Sequence, residues 1–359
     1  MKVLLIKTSS FGDIIHTLPA VADLLQRIPD VELSWMVEES FEQIPLLNPR
    51  LEKVIPVAIR RWRQSWLSAL PEIHFFFHQI RETKYDVVID AQGLIKSALL
   101  SKMAKGHVHG LDAQSSREPS SRIFYDQTHF VEKEQHAVKR VRELFSKVFE
   151  YELNGLPLDY GIDVTESLSS GTGLSALDLP EPHIFFLHGT TWASKHWPES
   201  RWRALALLCQ EKGYGIRISY GNEEEKLRAE RIVNDIDRAK VLAPSSISEL
   251  VSEMRSCSGV VSVDTGLGHL ATALNIPLVG IYGATDPNLT GFHGERSNII
   301  VSNRLPCIPC LRKECGLENR QVEEGRINIY PPCYETTTAD RVYNTLHTLM
   351  LKNSSSDKD

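Results

Sequence analysis

An unbroken apolar run, Val3-Leu4-Leu5-Ile6, opens straight into a polar loop, Lys7-Thr8-Ser9-Ser10-Phe11-Gly12-Asp13. Residues at helical spacing follow: Ile14, Leu18, Val21, Leu24 and Leu25. A run that is apolar at every position is buried on both faces, as in a parallel sheet covered by helices. The loop after such a strand lies at its carboxyl end, where open α/β sheets bind ligands. This loop supplies a lysine, hydroxyls, a glycine that lets backbone approach a ligand, and one carboxylate. Beside a hydroxyl-bearing substrate Asp13 can act as a general base. The plain alternative is that it caps the helix, a role aspartate favours.

The same scheme recurs along the chain. Strands are expected at 31–37, 53–57 and 85–90, the second peripheral because of Pro56. Helices are expected at about 66–84 and 134–150. Between 153 and 182 the sequence turns to Gly, Ser, Asp and Pro, with the softest part at 167–173. Beyond it, strands are expected at 184–188, 215–220, 259–263 and 277–282. Helices are expected at 198–211, 223–235, 246–257, capped by Ser248, and 266–275, then a last one at 337–351 before a polar tail. Two similar α/β halves, each with a polar loop after its first strand, predict two domains facing across a cleft, divided between 168 and 174.

A chain of 359 residues with net charge −6 has ample core for two domains and no general affinity for nucleic acid. No signal peptide is expected, since only four apolar residues separate Lys2 from Lys7. The longest stretch free of Asp, Glu, Lys and Arg, 265–285, is broken by Gly, His, Asn and Pro, so no spanning helix is expected. The expectation is a cytosolic protein whose six cysteines are reduced.

Several loops carry chemistry. Val263-Asp264-Thr265-Gly266-Leu267-Gly268-His269 runs from a strand into a glycine-rich helix start, an anion site suited to pyrophosphate. Thr190-Thr191, with Lys195 shortly after, ends the first strand of the same half, so Lys195 can place a point charge on a leaving diphosphate. The acids 223–225 follow the 215–220 strand, where a carboxylate commonly accepts ribose hydroxyls. Arg60, Arg61 and Arg63 surround Trp62 and suit a carboxylate or phosphate. The aromatics Trp62, Trp66, Phe75, Phe76 and Phe77 could meet a bilayer headgroup layer, although for the Phe residues a core role is the simpler expectation. Cys307, Cys310, Cys315 and Cys333 could hold a structural zinc, without the spacing of paired knuckles. Cys209 and Cys257 read as core residues.

Taken together, the loops resemble those of the bacterial lipopolysaccharide heptosyltransferases, glycosyltransferase family 9, and among these the first-heptose enzymes. The resemblance rests on KTSSFGDIIHTLPA (7–20), VIPVAIRRWR (54–63), YDVVIDAQGLIKSA (85–98), REP (117–119), QHAVKRVREL (135–144), TT and KHWPE within 190–199, and VSVDTGLGHL (261–270). It implies a GT-B fold: an acceptor-binding Rossmann-like domain at 1–168 and an ADP-sugar-binding one at 174–336, the C-terminal helix packing back on the first. It implies transfer of L-glycero-D-manno-heptose from ADP-heptose to a Kdo sugar of lipid A-linked core, with inversion and no required metal. Asp13 then looks like the general base and Lys195, with Thr190 and Thr191, like the diphosphate clamp. Asp264, Thr265, Gly266 and His269 look like the donor site, and Glu225 like the ribose acid. Ser10, Arg60, Arg61, Arg63 and Arg117 look like contacts to Kdo carboxylate and lipid A phosphate. The implied setting is a monomer, peripheral on the cytoplasmic face of the bacterial inner membrane.

The cysteine segment departs from the first-heptose pattern and resembles second-heptose enzymes, so a later core acceptor stays open. So do an epimerase or hydrolase of the same fold and a non-catalytic ADP-sugar-binding protein; these leave the arginine cluster, or the need for Asp13, unexplained.

Overall fold

A computed structural model describes residues 1–163, 182–301, 305–317 and 329–352. The softest stretch expected from sequence, 167–173, and the tail from 353 lie outside these residues. The chain forms two compact units, Met1–Val164 and Thr165–Asp359.

The first unit is a six-stranded sheet of β1 (Lys2–Ile6), β2 (Glu32–Glu38), β3 (Lys53–Val57), β4 (Lys84–Asp90), β5 (Lys105–Leu111) and β6 (Gln127–His129). All pairings are parallel and the order is β3-β2-β1-β4-β5-β6. Its helices are α1 (Phe11–Ile15), α2 (Leu18–Arg27), α3 (Ile59–Gln64), α4 (Trp66–Glu82), α5 (Ile95–Met103) and α6 (Ala137–Phe149). The periodic run after Asp13 is thus two helices, with Pro19 in the first turn of the second, where its missing N–H costs nothing. The helix expected up to 84 is α4, and the arginine stretch before it, 59–64, forms a short helix of its own, α3. Pro56 sits on the edge strand, as its lack of a donor requires.

The outer strands β5 and β6 escape a sequence reading. Lys105–Leu111 alternates glycine and histidine with only Val108 and Leu111 apolar, and β6 has three residues. Trp62 belongs to the core, 8% exposed and edge-on to Phe76 at 5.4 Å. Phe76 and Phe77 also pack against that core, but Phe75, expected in it, is 60% exposed. On the other face Arg142 of α6 grips Asp23 of α2 through Nε at 2.6 Å and Nη2 at 3.0 Å. Removing one partner of such a shielded pair costs about 3–5 kcal/mol.

The second unit repeats the plan with β7 (His183–Leu187), β8 (Gly215–Ser219), β9 (Ala239–Leu242), β10 (Gly259–Val263), β11 (Leu278–Tyr282) and β12 (Ser297–Val301). Its order, β12-β11-β10-β7-β8-β9, is again all parallel and matches that of the first unit strand for strand. This is the order of a dinucleotide-binding fold. The helices are α7 (Glu199–Glu211), α8 (Glu223–Val233), α9 (Ile247–Ser256), α10 (Gly266–Ala273), α11 (Pro287–Thr290) and α12 (Ala339–Leu351). The cap of α9 is Ser246 rather than Ser248: its hydroxyl accepts from the Glu249 amide, and its own N–H donates to the Glu249 carboxylate at 2.7 Å.

The C-terminal helix packs within the second unit. Val342, Tyr343, Leu346 and Leu349 join the core of the second unit with Ile184, Trp202 and Val261. The reason is its amphipathic stripe: these four residues at i, i+1, i+4 and i+7 fill the groove beside α7, and Trp197 Nε1 ties the lead-in down by donating to the Thr337 carbonyl at 3.1 Å.

Candidate active site

In each sheet the strand order reverses once, between β1 and β4 and between β10 and β7. Loops at such a reversal diverge to opposite faces and leave a crevice at the carboxyl ends of the strands. Both groups of predicted residues stand there.

In the first unit the loop after β1 is fastened to the loop after β4. The Thr8 amide and hydroxyl both donate to Gln92 Oε1 at 2.8 Å, and Gln92 Nε2 donates to the Ser9 hydroxyl at 3.1 Å. Asp13 sits at the third position of α1. Its Oδ2 accepts from the Ser10 amide at 2.9 Å and the Ser10 hydroxyl at 2.7 Å. The capping alternative therefore holds, yet it uses one oxygen: Oδ1 makes no hydrogen bond among the described residues, so capping orients the carboxylate without consuming it. Burial works to raise the Asp13 pKa, but the Lys7 charge, the two Ser10 bonds and His16 outweigh it and leave it below the usual aspartate value. Lys7 is itself buried, donating to the Ala91 carbonyl at 3.1 Å, and burial lowers its pKa. Arg117 and Arg140 lie within electrostatic reach of Lys7. Ser10 and Asp13 thus share the first-unit loop with Lys7, Arg117 lies within electrostatic reach of that lysine, and Gln92, which the sequence did not single out, fastens the loop.

The three arginines part company. Arg60 lies over the Phe41 ring at 4.8 Å, and Phe41 meets Phe11, the first residue of α1, edge-on at 6.0 Å, so Arg60 is brought toward the Asp13 loop. Arg61 is bound at both ends of its guanidinium, to Glu39 at 3.1 Å and to Glu72 at 2.7 Å. Arg63 is exposed and forms no ion pair among the described residues.

In the second unit the residues converge on Asp264. Lys195 Nζ reaches its Oδ2 at 2.7 Å, the Thr285 hydroxyl donates to the same oxygen at 2.7 Å, and His269 Nε2 stands 3.8 Å from Oδ1. Burial would raise the Asp264 pKa, but these partners hold it far below the usual carboxylate range. Lys195 also lies over the Trp192 ring at 4.5 Å. The Thr190 hydroxyl donates to the Asp264 carbonyl at 3.3 Å, joining the two loops of the reversal. Thr191 stands exposed beside it. Thr265 precedes α10 without capping it through its side chain; the Gly268 and His269 amides donate to the Thr265 carbonyl, which leaves those of Gly266 and Leu267 for an anion.

Glu225, alone of the three acids, turns inward. Its Oε2 accepts from the Gly221 amide at 2.7 Å. Its carboxylate lies so close to Gly189 that a Cβ there would stand 2.7 Å from it. A side chain at position 189 would therefore push the carboxylate aside. Gly189→Val should weaken ADP binding about tenfold by displacing this carboxylate. Titration calorimetry on Gly189→Val, Glu225→Ala and the double variant checks it: the double variant should bind no worse than Glu225→Ala, and fully additive losses would remove the link.

The cysteines Cys307, Cys310, Cys315 and Cys333 line one cavity beside Ser194, and all are free thiols. Burial and then the neighbouring sulfurs push the Cys333 thiol up to about 12. Among the described residues no group of three or more His, Cys, Asp or Glu is arranged to hold a metal ion. The cavity wall joins the donor loop, because the Ser194 amide donates to the Lys313 carbonyl at 3.0 Å and the Leu311 amide to the Ala284 carbonyl at 2.8 Å, next to Thr285. Cys209 is buried, as expected of a core residue.

Comparison with known proteins matches residues 73–321 to glycosyltransferase family 9 (heptosyltransferase). The chain is 41% identical to lipopolysaccharide heptosyltransferase 1 of Pseudomonas aeruginosa over 98% of both chains. Among solved structures, it resembles the E. coli heptosyltransferase WaaC with ADP, at 43% identity and a TM-score of 0.77, covering 83% of this chain and 92% of that one. WaaC with ADP-2-deoxy-2-fluoro heptose aligns at 41% identity and a TM-score of 0.75, covering 84% and 93%. Two Rossmann-like units, the paired loops at each strand reversal and these likenesses lead to one statement: the chain is an enzyme of glycosyltransferase family 9, the heptosyltransferases.

Proposed function

We propose that this enzyme transfers L-glycero-D-manno-heptose from ADP-heptose to a Kdo sugar of the lipid A-linked inner core, with inversion, on the cytoplasmic face of the bacterial inner membrane. The observation that carries the donor half is the cluster of Lys195, Thr190, Thr285 and His269 around Asp264 at the start of an uncapped helix. A diphosphate laid on the α10 amides would meet Lys195 and the Thr265 hydroxyl, the groups that stabilise charge as ADP leaves. Glu225 stands where the ribose hydroxyls of the nucleotide would find an acceptor. The structures of WaaC with ADP and with a fluorinated ADP-heptose support this choice of donor.

On the acceptor side, Asp13 with its unengaged Oδ1 takes the proton from the attacking hydroxyl as the new C–O bond forms and the bond to ADP breaks. Attack from the face opposite the leaving group gives inversion in a single displacement. Arg60, Arg63 and Arg117 suit the carboxylate of Kdo and the phosphates of lipid A. Arg61, already paired with two glutamates, would act on the acceptor only by exchanging one of them.

The decisive experiment follows ADP release from ADP-heptose with and without Kdo–lipid A, with the product mass read in parallel. Release that depends on this acceptor, with a mass gain of one heptose, is expected. Release only with an already heptosylated core would assign the later acceptor. Equal release without any acceptor would mark a hydrolase and end the transferase reading.

A further inference from the structure

Helix α4 turns one stripe to the core and leaves the other without a partner. Ala69, Ile73, Phe76 and Ile80 recur at i, i+4, i+7 and i+11 and pack inward. Outward stand Trp66, Leu67, Leu70 and Phe75, with exposures of 61%, 65%, 49% and 60%. A solvated helix face normally carries charges at such positions. Here the only charged side chain from Ser65 to His78 is Glu72, and Arg61 neutralises it. Single exposed apolar residues need no explanation, but four large ones along one helix do.

We propose that this face of α4 is the surface by which the protein docks on an anionic lipid bilayer. Charge complementarity selects this occupant. The chain as a whole is negative, yet in the stretch from Ile59 to Ile80, with Arg61 paired to Glu39 and Glu72, Arg60 and Arg63 stand against no acid of their own stretch. Arg63, exposed and unpaired among the described residues, lies at the N-terminal end of the apolar face, where lipid phosphates would sit. A tryptophan beside leucines and a phenylalanine, with arginines at the rim, is the composition of an element lying in the headgroup layer. No described helix is long and apolar enough to cross a membrane, so the contact is lateral. The inference deepens the proposed function, because a lipid-linked acceptor has to be met at a membrane surface, but its test needs no acceptor.

The full chain is floated with vesicles of phosphatidylglycerol and phosphatidylethanolamine, and with vesicles of phosphatidylcholine alone. Binding to the anionic vesicles is expected, weaker by about tenfold on phosphatidylcholine or in about 0.5 M salt. A variant with Trp66→Ser, Leu67→Ser, Leu70→Ser and Phe75→Ser should bind at least about tenfold less, and because these side chains are exposed its circular dichroism should match the parent. Brominated lipid should quench tryptophan fluorescence in the parent but much less in Trp66→Phe, which retains binding. A parent that ignores anionic vesicles, or a quadruple variant that binds them as well as the parent, would overturn the proposal. So would a concentration-dependent dimer abolished by the same variant, which would give the face to a second copy. Turnover of a deacylated, water-soluble acceptor should survive the four substitutions. If no acceptor is ever turned over while vesicle binding behaves as described, the docking surface stands and the proposed reaction falls.

Discussion

Asp13→Ala should lower turnover by about 10³-fold, within the usual range for a positioned general base, while ADP binding changes by less than about twofold, because Asp13 and the nucleotide cluster belong to separate units. Two effects are mixed in this substitution: the proton acceptor and the α1 cap are both lost. Asp13→Asn separates them. It keeps an acceptor oxygen for Ser10 and restores the helix start, so it should match the parent in thermal stability yet remain as inactive as Asp13→Ala. Stability lost together with activity in both variants would reduce Asp13 to a cap. The pH profile offers an independent reading. Since Lys7 and Ser10 outweigh burial and hold the Asp13 pKa below the usual aspartate value, the carboxylate stays ionised through the neutral range. Activity limited by its protonation should fall only as pH drops below about 4. A limb centred near pH 6 would assign the proton to another group. Lys7→Met, which removes the principal lowering charge, should move the acid limb upward.

Lys195→Ala should cost about 10²–10³ in turnover and about tenfold or more in ADP affinity. The lysine also balances Asp264, which lies 8% exposed. The substitution therefore removes the cation proposed to meet the diphosphate and leaves the buried carboxylate with Thr285 and His269. Burial then acts with less opposition, so the Asp264 pKa should rise from its far-lowered position. Stability at low pH separates the contributions. A depressed carboxylate pKa stabilises the fold above the unfolded-state value and loses that contribution as pH falls through the folded value. The parent should thus lose more stability on acidification than Lys195→Ala. Single-turnover rates and calorimetry check the catalytic part; a variant with parental kcat and only weaker ADP binding would make Lys195 a binding residue rather than a leaving-group clamp.

The legible parts of this molecule are those where one physical requirement dominates a short stretch. Strands β1, β4, β7, β10 and β11 are buried on both faces, or nearly so, and announce themselves as apolar runs. The loops after them are legible because strand, loop and helix are contiguous, so Asp13 and Asp264 could be placed at strand ends. Strand β5, next to the edge, and the edge strands β6, β9 and β12 need fewer apolar residues and were lost in polar sequence. Lys7 looked like a loop lysine; only the fold shows it buried against Ala91. Gln92 and Thr285 act across gaps of 84 and 21 residues, which no local pattern carries. The aromatic run 75–77 contained two core residues and one outward residue, a division set by helical phase against a core invisible in the sequence. The course of α12 depends on which groove its stripe fits best, again a tertiary matter.

Because α12 closes the core of the second unit, each unit is one uninterrupted piece of chain. Heredity can then treat the halves as separable cassettes: a single recombination point between them would exchange the whole first unit and leave the second untouched. Were the last helix lodged in the first unit, any such exchange would need two joints and a compatible helix besides. The architecture thus lends itself to shuffling, since one joint suffices to replace either unit whole.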